Sequence, residues 1–295
     1  MTKRKVLIQV DSDAHPSTFD SIVAIDSGID FLLTQHSVSP FEIQEIVHGA
    51  MFTRGGDDLK HTALFFGGSD VEQTQSLVRA AKRTFFGPLR VSMMSDPNGS
   101  NTTAAAAVLS VEKHLDLKDK LVTVLAATGP VGIRIAQLAS KLGATVRVCS
   151  RRESRAQQIC DLIVRTRGGE LVERLIPCQT ASMAQTLTAI QDSDALFSAG
   201  AAGVEMLDEQ WLNMADGPSV AVDLNAVPPT GIHSIEVTDK VVERGKAICY
   251  GAIGVGGLKM KLHRRCLQKL FEANDHVLEI DSIYEFGRDE FFDRG

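Results

Sequence analysis

Two short stretches of this chain hold the residue types and spacing that chemistry needs. The first is Ala127-Thr128-Gly129-Pro130-Val131-Gly132, and the second is Ser150-Arg151-Arg152, about twenty residues on. Gly129 would let a backbone approach a pyrophosphate, and Gly132 would let the following helix pack closely on its strand. Free N–H groups and the dipole at that helix N-terminus would then meet negative charge. Thr128, Gly129, Pro130, Val131 and Gly132 are therefore candidate cofactor contacts. Ala127 holds the place of the fingerprint's first glycine, and an alanine tolerates a left-handed turn less well.

The second stretch indicates which dinucleotide. A chain built for NAD usually places an Asp or Glu on the ribose hydroxyls at this point. Here the strand Thr145 to Cys149 runs into Ser150-Arg151-Arg152 without a carboxylate, and Arg155 follows one helical turn later. A hydroxyl with one or two guanidinium groups suits a 2′-phosphate. NADP is the expected cofactor, with some tolerance of NAD. The alternative is a solvated helix start, part of its charge neutralised by Glu153.

The elements around these residues alternate. Leu121 to Ala126 is apolar enough for a parallel strand buried on both faces. Upstream, strands are expected at Val6–Val10, Ile29–Thr34, Thr62–Phe66 and Leu89–Met94. Helices are expected at His15–Ala24, from Ser39-Pro40-Phe41-Glu42 (a capping box) to Gly49, and at Asp70–Arg83. The turn formers Asp96-Pro97-Asn98-Gly99-Ser100-Asn101 open into an alanine-rich helix, Thr102 to His114, capped by Ser100 or Asn101. Downstream, strands near Leu171–Ile176, Asp194–Phe197, Val220–Leu224 and Ala247–Tyr250 alternate with helices near Ala156–Thr166 and Ala181–Ile190. The small residues from Ser198 through Ala199 to Gly203 suit a strand end where an adenine or ribose passes close, so Ala199 is a cofactor candidate; a tight left-handed turn explains them almost as well. The pattern implies an α/β fold with two lobes, each a doubly wound parallel sheet. The expected division is an N-terminal lobe, 1–101, completed by a C-terminal helix within 259–295, and a Rossmann lobe, 102–258.

Composition sets limits. With 295 residues, 44% hydrophobic and 23% charged, the chain suits two ordinary globular domains. A formal charge of -6 argues against nucleic acid or a membrane surface as the main partner. No apolar stretch approaches the roughly twenty residues of a membrane span, and MTKRKVLIQVDSD reads as a strand rather than a signal peptide. Five cysteines without CxxC spacing fit neither disulfides nor zinc, so no metal is expected and a reducing cytoplasm fits best. They read as small core residues.

Blocks along the whole chain resemble the NAD(P)-dependent methylene-tetrahydromethanopterin dehydrogenases. They are Asp11-Ser12-Asp13-Ala14-His15-Pro16-Ser17-Thr18-Phe19-Asp20, Phe52-Thr53-Arg54-Gly55-Gly56, Phe85-Phe86-Gly87-Pro88 and Asn98-Gly99-Ser100-Asn101-Thr102-Thr103-Ala104-Ala105. The likeness continues in Thr128 to Gly132, in Asp223-Leu224-Asn225-Ala226-Val227-Pro228-Pro229, and in Gly254-Val255-Gly256-Gly257-Leu258-Lys259-Met260-Lys261-Leu262-His263. Ala127 and the detail of Ser150-Arg151-Arg152 depart from the family pattern, which touches cofactor preference and not the reaction. The resemblance implies a pterin-binding N-terminal lobe, a pterin in the cleft between lobes, and self-association into a homo-oligomer.

The chemistry so implied moves a hydride from a methylene carbon between two nitrogens to C4 of the nicotinamide, leaving a delocalised methenyl cation. No proton leaves the carbon, so orientation and a well-placed negative charge matter most. Asp20, on the first helix of the pterin lobe, is the candidate carboxylate, against a helix-surface acid; Asp13, at the end of the first strand, is the runner-up. Lys259, directly after the glycine-rich turn, is the candidate lysine for a pterin carbonyl or water. Lys261, two residues on, points to another face. His263 either touches substrate or packs. Asn98, Ser100 and Thr102 contact pterin edges or the nicotinamide amide, or simply cap the long helix. Asp223 and Asn225 meet the nicotinamide side or shape a turn, and Arg54 and Lys60 reach an anionic pterin tail or stay solvated. Two alternatives remain open: a methylene-tetrahydrofolate dehydrogenase, and a non-catalytic NADP-sensing protein.

Overall fold

The computed structural model describes residues 3–292, and the chain divides into two compact units, 1–102 with 260–295 and 103–259. In chain order the first unit supplies β1 (Val6–Val10), α1 (Thr18–Asp26), β2 (Phe31–Gln35), α2 (Ile43–Phe52), β3 (Thr62–Phe66), α3 (Val71–Thr84) and β4 (Ser92–Ser95). The helix α4 (Ser100–Glu112) carries the chain across the division. Then come β5 (Leu121–Leu125), α5 (Pro130–Lys141), β6 (Thr145–Ser150), α6 (Glu153–Arg167), β7 (Leu175–Gln179), α7 (Met183–Ile190), β8 (Ala195–Ser198), β9 (Val220–Asp223), β10 (Lys240–Arg244) and β11 (Ala247–Tyr250). Helix α8 (Ala252–Lys269) crosses back, and β12 (Val277–Leu278) and α9 (Ile280–Phe291) complete the first unit.

The first unit's sheet runs β12-β4-β3-β1-β2, with every pair parallel. Its middle strand, Thr62-Ala63-Leu64-Phe65-Phe66, is buried at every position, as a largely apolar strand covered on both faces must be. Leu64, Phe66, Val47, Met51, Leu77 and Ala81 belong to one core on the side covered by α2 and α3. The second sheet runs β10-β11-β9-β8-β5-β6-β7. It is parallel except for β10, which pairs antiparallel with β11 at the edge. The expectation of purely parallel sheets is corrected there: Glu243, Arg244, Gly245 and Lys246 make a tight reversal, with Gly245 at φ +59°, too short for a crossover.

Several boundaries move for identifiable reasons. Helix α1 begins at Thr18 rather than His15, because a residue before proline avoids the helical region and Ser17 Oγ accepts the Asp20 N–H. Helix α2 begins at Ile43: the Glu42 carboxylate accepts from both the backbone N–H and the hydroxyl of Ser39, so that hydroxyl is donating and caps nothing. Leu89 bridges back to Phe86 around Gly87 (φ +52°), which delays β4 to Ser92. A 3-10 turn over Gly169–Arg174 delays β7 to Leu175. The glycines at 254, 256 and 257 lie inside α8 rather than in a turn before it.

Candidate functional site

In the second unit the candidate cofactor residues cluster at the carboxyl ends of β5 and β6. Ala126 takes φ +51°, so the left-handed position falls there and not on Ala127. The Ala127 N–H donates to the Cys149 carbonyl at 2.9 Å, which fastens the turn to β6. Helix α5 then starts with Gly129 as an extended N-cap and Pro130 in its first turn, and no side chain caps it. Its first N–H groups are therefore left without a side-chain cap, the arrangement that an anion site needs. A Cβ on Gly132 would lie 2.7 Å from the Ala127 Cα, so close helix-to-strand packing is what requires glycine at this position. Relieving the left-handed alanine is a simple test of the turn. Ala126→Gly should raise stability by up to about 1 kcal/mol, reduced by the freedom glycine adds to the unfolded chain, and a drop in melting temperature would contradict the assignment.

At the end of β6, Ser150 is mostly buried and its carbonyl accepts the Thr180 N–H at 2.8 Å. The Ser150 hydroxyl accepts the Arg152 N–H at 3.4 Å, while the side chains of Arg151 and Arg152 are exposed. Gln179 donates to the Arg151 carbonyl at 3.2 Å, so the basic turn is tied to β7 as well as to β6. Replacing Arg151 and Arg152 together with alanine should cost NADP at least about tenfold in affinity and NAD far less. Fluorescence titrations of both reduced cofactors measure it, and equal losses would remove the phosphate role.

Ala199 follows β8 and donates its N–H to the Leu125 carbonyl at 3.2 Å, beside the glycine turn. Asp223 and Asn225 have their polar atoms committed. The Asp223 carboxylate accepts from Ser198 Oγ (2.9 Å) and from the N–H groups of Asn225 (3.0 Å) and Ile232 (2.9 Å). Burial pushes its pKa up, and those same hydrogen bonds oppose the shift. Asn225 accepts from the Gly203 and Val227 N–H groups and donates to the Ala201 and Pro229 carbonyls. Both residues therefore hold the 198–203 and 225–232 segments together, the turn role the sequence left open. Lys259 is half-buried, seven residues into α8, and is the last residue of this unit.

In the first unit the candidate substrate residues gather at the carboxyl edge of the sheet, where ligands of open parallel sheets bind. Asp20 is 7% exposed in the first turn of α1. Asp11, directly after β1, was not singled out from the sequence, yet it is 1% exposed and its Oδ2 has no hydrogen-bond partner. A methyl group on Gly67 would sit 3.1 Å from Asp11 Oδ2 and 3.7 Å from Asp20 Oδ2, which places both acids beside that glycine. Its position at the end of an apolar strand was the signal available for Asp11. Asp13 is committed differently: its two oxygens accept from the Ser69 N–H (2.9 Å) and the Ser69 hydroxyl (3.0 Å), clasping the β1–α1 loop to the β3–α3 loop.

Burial raises the Asp11 pKa, with the negative Asp13 adding to it against bonds from the Asp13 and Ser17 N–H groups. The folded protein therefore holds this proton more tightly than the unfolded chain does. Its contribution to stability is largest below the unfolded pKa, near 4, and falls as pH rises through the folded value. Asp11→Asn should flatten that fall. Melting curves of both proteins from pH 4 to pH 8 read the difference, and parallel curves would contradict the burial effect.

The remaining candidates surround Asp96, a second acid the sequence left in a turn cluster. Its fully buried carboxylate accepts from the Asn101 N–H (2.8 Å), the Thr102 N–H (3.0 Å) and the Thr102 hydroxyl (2.6 Å). It, rather than Ser100 or Asn101, holds the start of α4. The Ser100 hydroxyl donates to the Pro97 carbonyl at 2.7 Å. His263 is 0% exposed, with Nδ1 3.2 Å from Asp96 Oδ2 and its ring against Phe65. Ser100, Thr102 and His263 are thus buried, and of these candidates only Asn98 (φ +52°) is exposed. Arg54 donates to the Arg4 and His61 carbonyls and so supports the loop before β3. Among the described residues, no group of three or more His, Cys, Asp or Glu could hold a metal ion, and no helix is long and apolar enough to cross a membrane.

Residues 18–98 match a family model described as methylene-tetrahydromethanopterin dehydrogenase, N-terminal. A relative from Methylorubrum extorquens AM1 named "Bifunctional protein MdtA" is 40% identical over 97% of this chain and 99% of its own length. A second from that organism, named "NAD(P)-dependent methylenetetrahydromethanopterin dehydrogenase", is 32% identical over 92% of this chain and 93% of its own. Among solved structures, ligand-free 5-ketofructose reductase of Gluconobacter sp. strain CHM43 aligns with a TM-score of 0.55 at 13% identity, covering 98% of this chain and 99% of that one. The Trypanosoma brucei methylenetetrahydrofolate dehydrogenase-cyclohydrolase gives 0.52, also at 13%, over 92% of this chain and 87% of that one. At that identity these two structures speak for the two-sheet α/β fold alone. The full-length relatives carry the assignment: the chain belongs to the methylene-tetrahydromethanopterin dehydrogenase family.

Proposed function

We propose that this protein oxidises 5,10-methylene-tetrahydromethanopterin, passing a hydride to NADP, or less readily to NAD, and releasing the methenyl cation and NADPH, a step of one-carbon (formaldehyde) oxidation. The uncapped, glycine-packed start of α5, with two exposed arginines after β6, is the observation that carries the cofactor half. Phosphate oxygens accept from the free N–H groups of α5, and the guanidinium groups pair with the 2′-phosphate. The substrate half rests on Asp20 and Asp11 at the carboxyl edge of the first sheet, with Asn98 exposed on the turn after β4. Asp20 supplies the negative charge where the cation develops, and Lys259 donates to a pterin carbonyl or to water. Nothing in this step requires a general base or a metal.

NADPH formation with methylene-tetrahydromethanopterin, run beside the tetrahydrofolate analogue, tests the assignment. Faster turnover of the methanopterin substrate is expected. Tight NADPH binding without turnover of either pterin would leave a cofactor sensor instead.

Location and assembly belong to the same proposal. Five free thiols suit a reducing cytoplasm. Phe19, Ile22 and Ile25 on α1 and Phe31 and Leu33 on the edge strand β2 are exposed apolar residues of one unit, which favours self-association. A monomer mass by light scattering at micromolar concentration would contradict it.

A further inference from the structure

Cys149 and Cys178 face each other across β6 and β7, paired Cα to Cα in the parallel register. Both side chains lie on the α7 side of the sheet, in the core that contains Ala189 and Ile190, with Met183 and Leu187 packed against it. The two are not equivalent. Cys149 is fully buried, whereas Cys178 is half-exposed on β7, the edge strand. We propose that this pair is a thiol modification site, closing reversibly to a disulfide that weakens NADP binding.

Adjacent strands run about 4.7–4.9 Å apart, inside the about 4.4–6.8 Å Cα range of disulfides. Parallel neighbours do not aim their Cβ atoms at each other, so the bond would be strained, and strained disulfides are the reducible ones. The thiols are also polarised for the reaction. The neighbouring Cys149 thiol, helped by the positive Arg147, pulls the Cys178 pKa down to about 7, whereas Cys178 and burial raise Cys149 itself. Cys178 is therefore the nucleophile and Cys149 the resolving thiol.

The oxidant is a hydroperoxide. The Cys178 thiolate attacks one peroxide oxygen, the O–O bond breaks, and the departing alkoxide or hydroxide takes a proton from water. Cys178 is then a sulfenic acid. The Cys149 sulfur attacks the Cys178 sulfur, the S–O bond breaks, and the leaving hydroxide with the Cys149 proton becomes water. The peroxide gains two electrons and each sulfur gives up one. A dithiol reductant reverses the exchange.

The consequence for the cofactor follows from position. The Cys149 carbonyl holds the Ala127 N–H of the glycine turn, and the next residue is Ser150. Gln179, next to Cys178, holds the Arg151 carbonyl. Drawing the two sulfurs together moves the strand ends that present Ser150, Arg151 and Arg152. Losing one charge-assisted hydrogen bond there lowers NADP affinity about tenfold. Disulfide formation itself does not depend on the proposed function; the change in affinity rests on that cofactor reading.

The test treats the whole protein with hydrogen peroxide at pH 7.5. Two of the five thiols should be lost, a Cys149–Cys178 cross-linked peptide should appear within one chain, and NADPH affinity should fall about tenfold and recover with dithiothreitol. Neither Cys178→Ser nor Cys149→Ser should cross-link or lose affinity. Oxidation without that cross-link, or loss of other thiols first, overturns the site. A cross-linked protein that binds NADPH like the reduced one overturns the link to the cofactor, and normal turnover by the reduced form shows that the proposed reaction survives.

Discussion

Gly254→Ala should lower the melting temperature by roughly ten degrees and deplete soluble protein. A Cβ at Gly254 would lie 1.9 Å from the Asp239 carbonyl oxygen, and one at Gly251 would lie 2.0 Å from that of Glu236. Neither neighbour is a side chain that could swing away. The 236–239 segment is held in turn: the Asp239 carboxylate accepts from the Glu236 N–H and the Arg244 guanidinium, and the Gly251 and Ile253 N–H groups donate to the Asp239 and Val237 carbonyls. Overpacking an ordinary core costs about 1–3 kcal/mol, and a clash between two backbones belongs at or above the top of that range. Each kcal/mol moves the melting point by about 2–4 °C in a protein of this order of size. Gly256 and Gly257 provide the control, since a Cβ on either meets nothing within 4 Å. Alanine at either should add about 1 kcal/mol through helix propensity. If all three variants melt alike, α8 does not rest on the 236–239 segment as described.

Asp20→Asn should lower kcat about 10²–10³-fold while the KM for the pterin changes much less. In the proposed site the cation develops near Asp20 and Asp11, both beside Gly67, and a charge made only in the transition state affects kcat. The substitution keeps the side chain's size and leaves helix α1 intact, because Ser17 Oγ caps the Asp20 backbone N–H rather than its carboxylate. Stopped-flow hydride transfer with saturating NADP separates this from slow product release. A kcat within about threefold of the unmodified protein would move the catalytic charge elsewhere, and Asp11 would be examined next.

The sequence made the sheets legible where apolar runs were long or bounded by strong turn formers. Thr62–Phe66 was expected and found, and so was the strand–turn–helix of the candidate cofactor site, because buried parallel strands and glycine turns leave dense local signals. Edges were less legible. Strand β10, Lys240-Val241-Val242-Glu243-Arg244, is half polar and looks like a loop until β11 pairs with it. The site residues divided by the same logic. Position along the chain identified Asp13, Ser100, Thr102, Asp223, Asn225 and His263 as polar residues near strand or helix ends. Only three-dimensional structure shows that Ser69, Pro97, Asp96 and the 198–203 loop take up the hydrogen-bonding groups of the first five, and that His263 is buried beside Asp96. Asp11 and Asp96 stand in the quoted motifs without being singled out as site residues, because burial of an acid leaves no trace in residue type.

Gly256 and Gly257 have one more consequence. Two glycines inside a helix, with open space where side chains would stand, leave the backbone there weakly constrained, while Gly251 and Gly254 pin the start of the helix against the 236–239 segment. Amide protons around residues 256–260 should exchange with deuterated solvent sooner than those near Leu267, within the same helix. A ligand that orders this stretch would pay in entropy on arrival, so occupancy near Lys259 would be visible as slowed exchange even if no atom moved far.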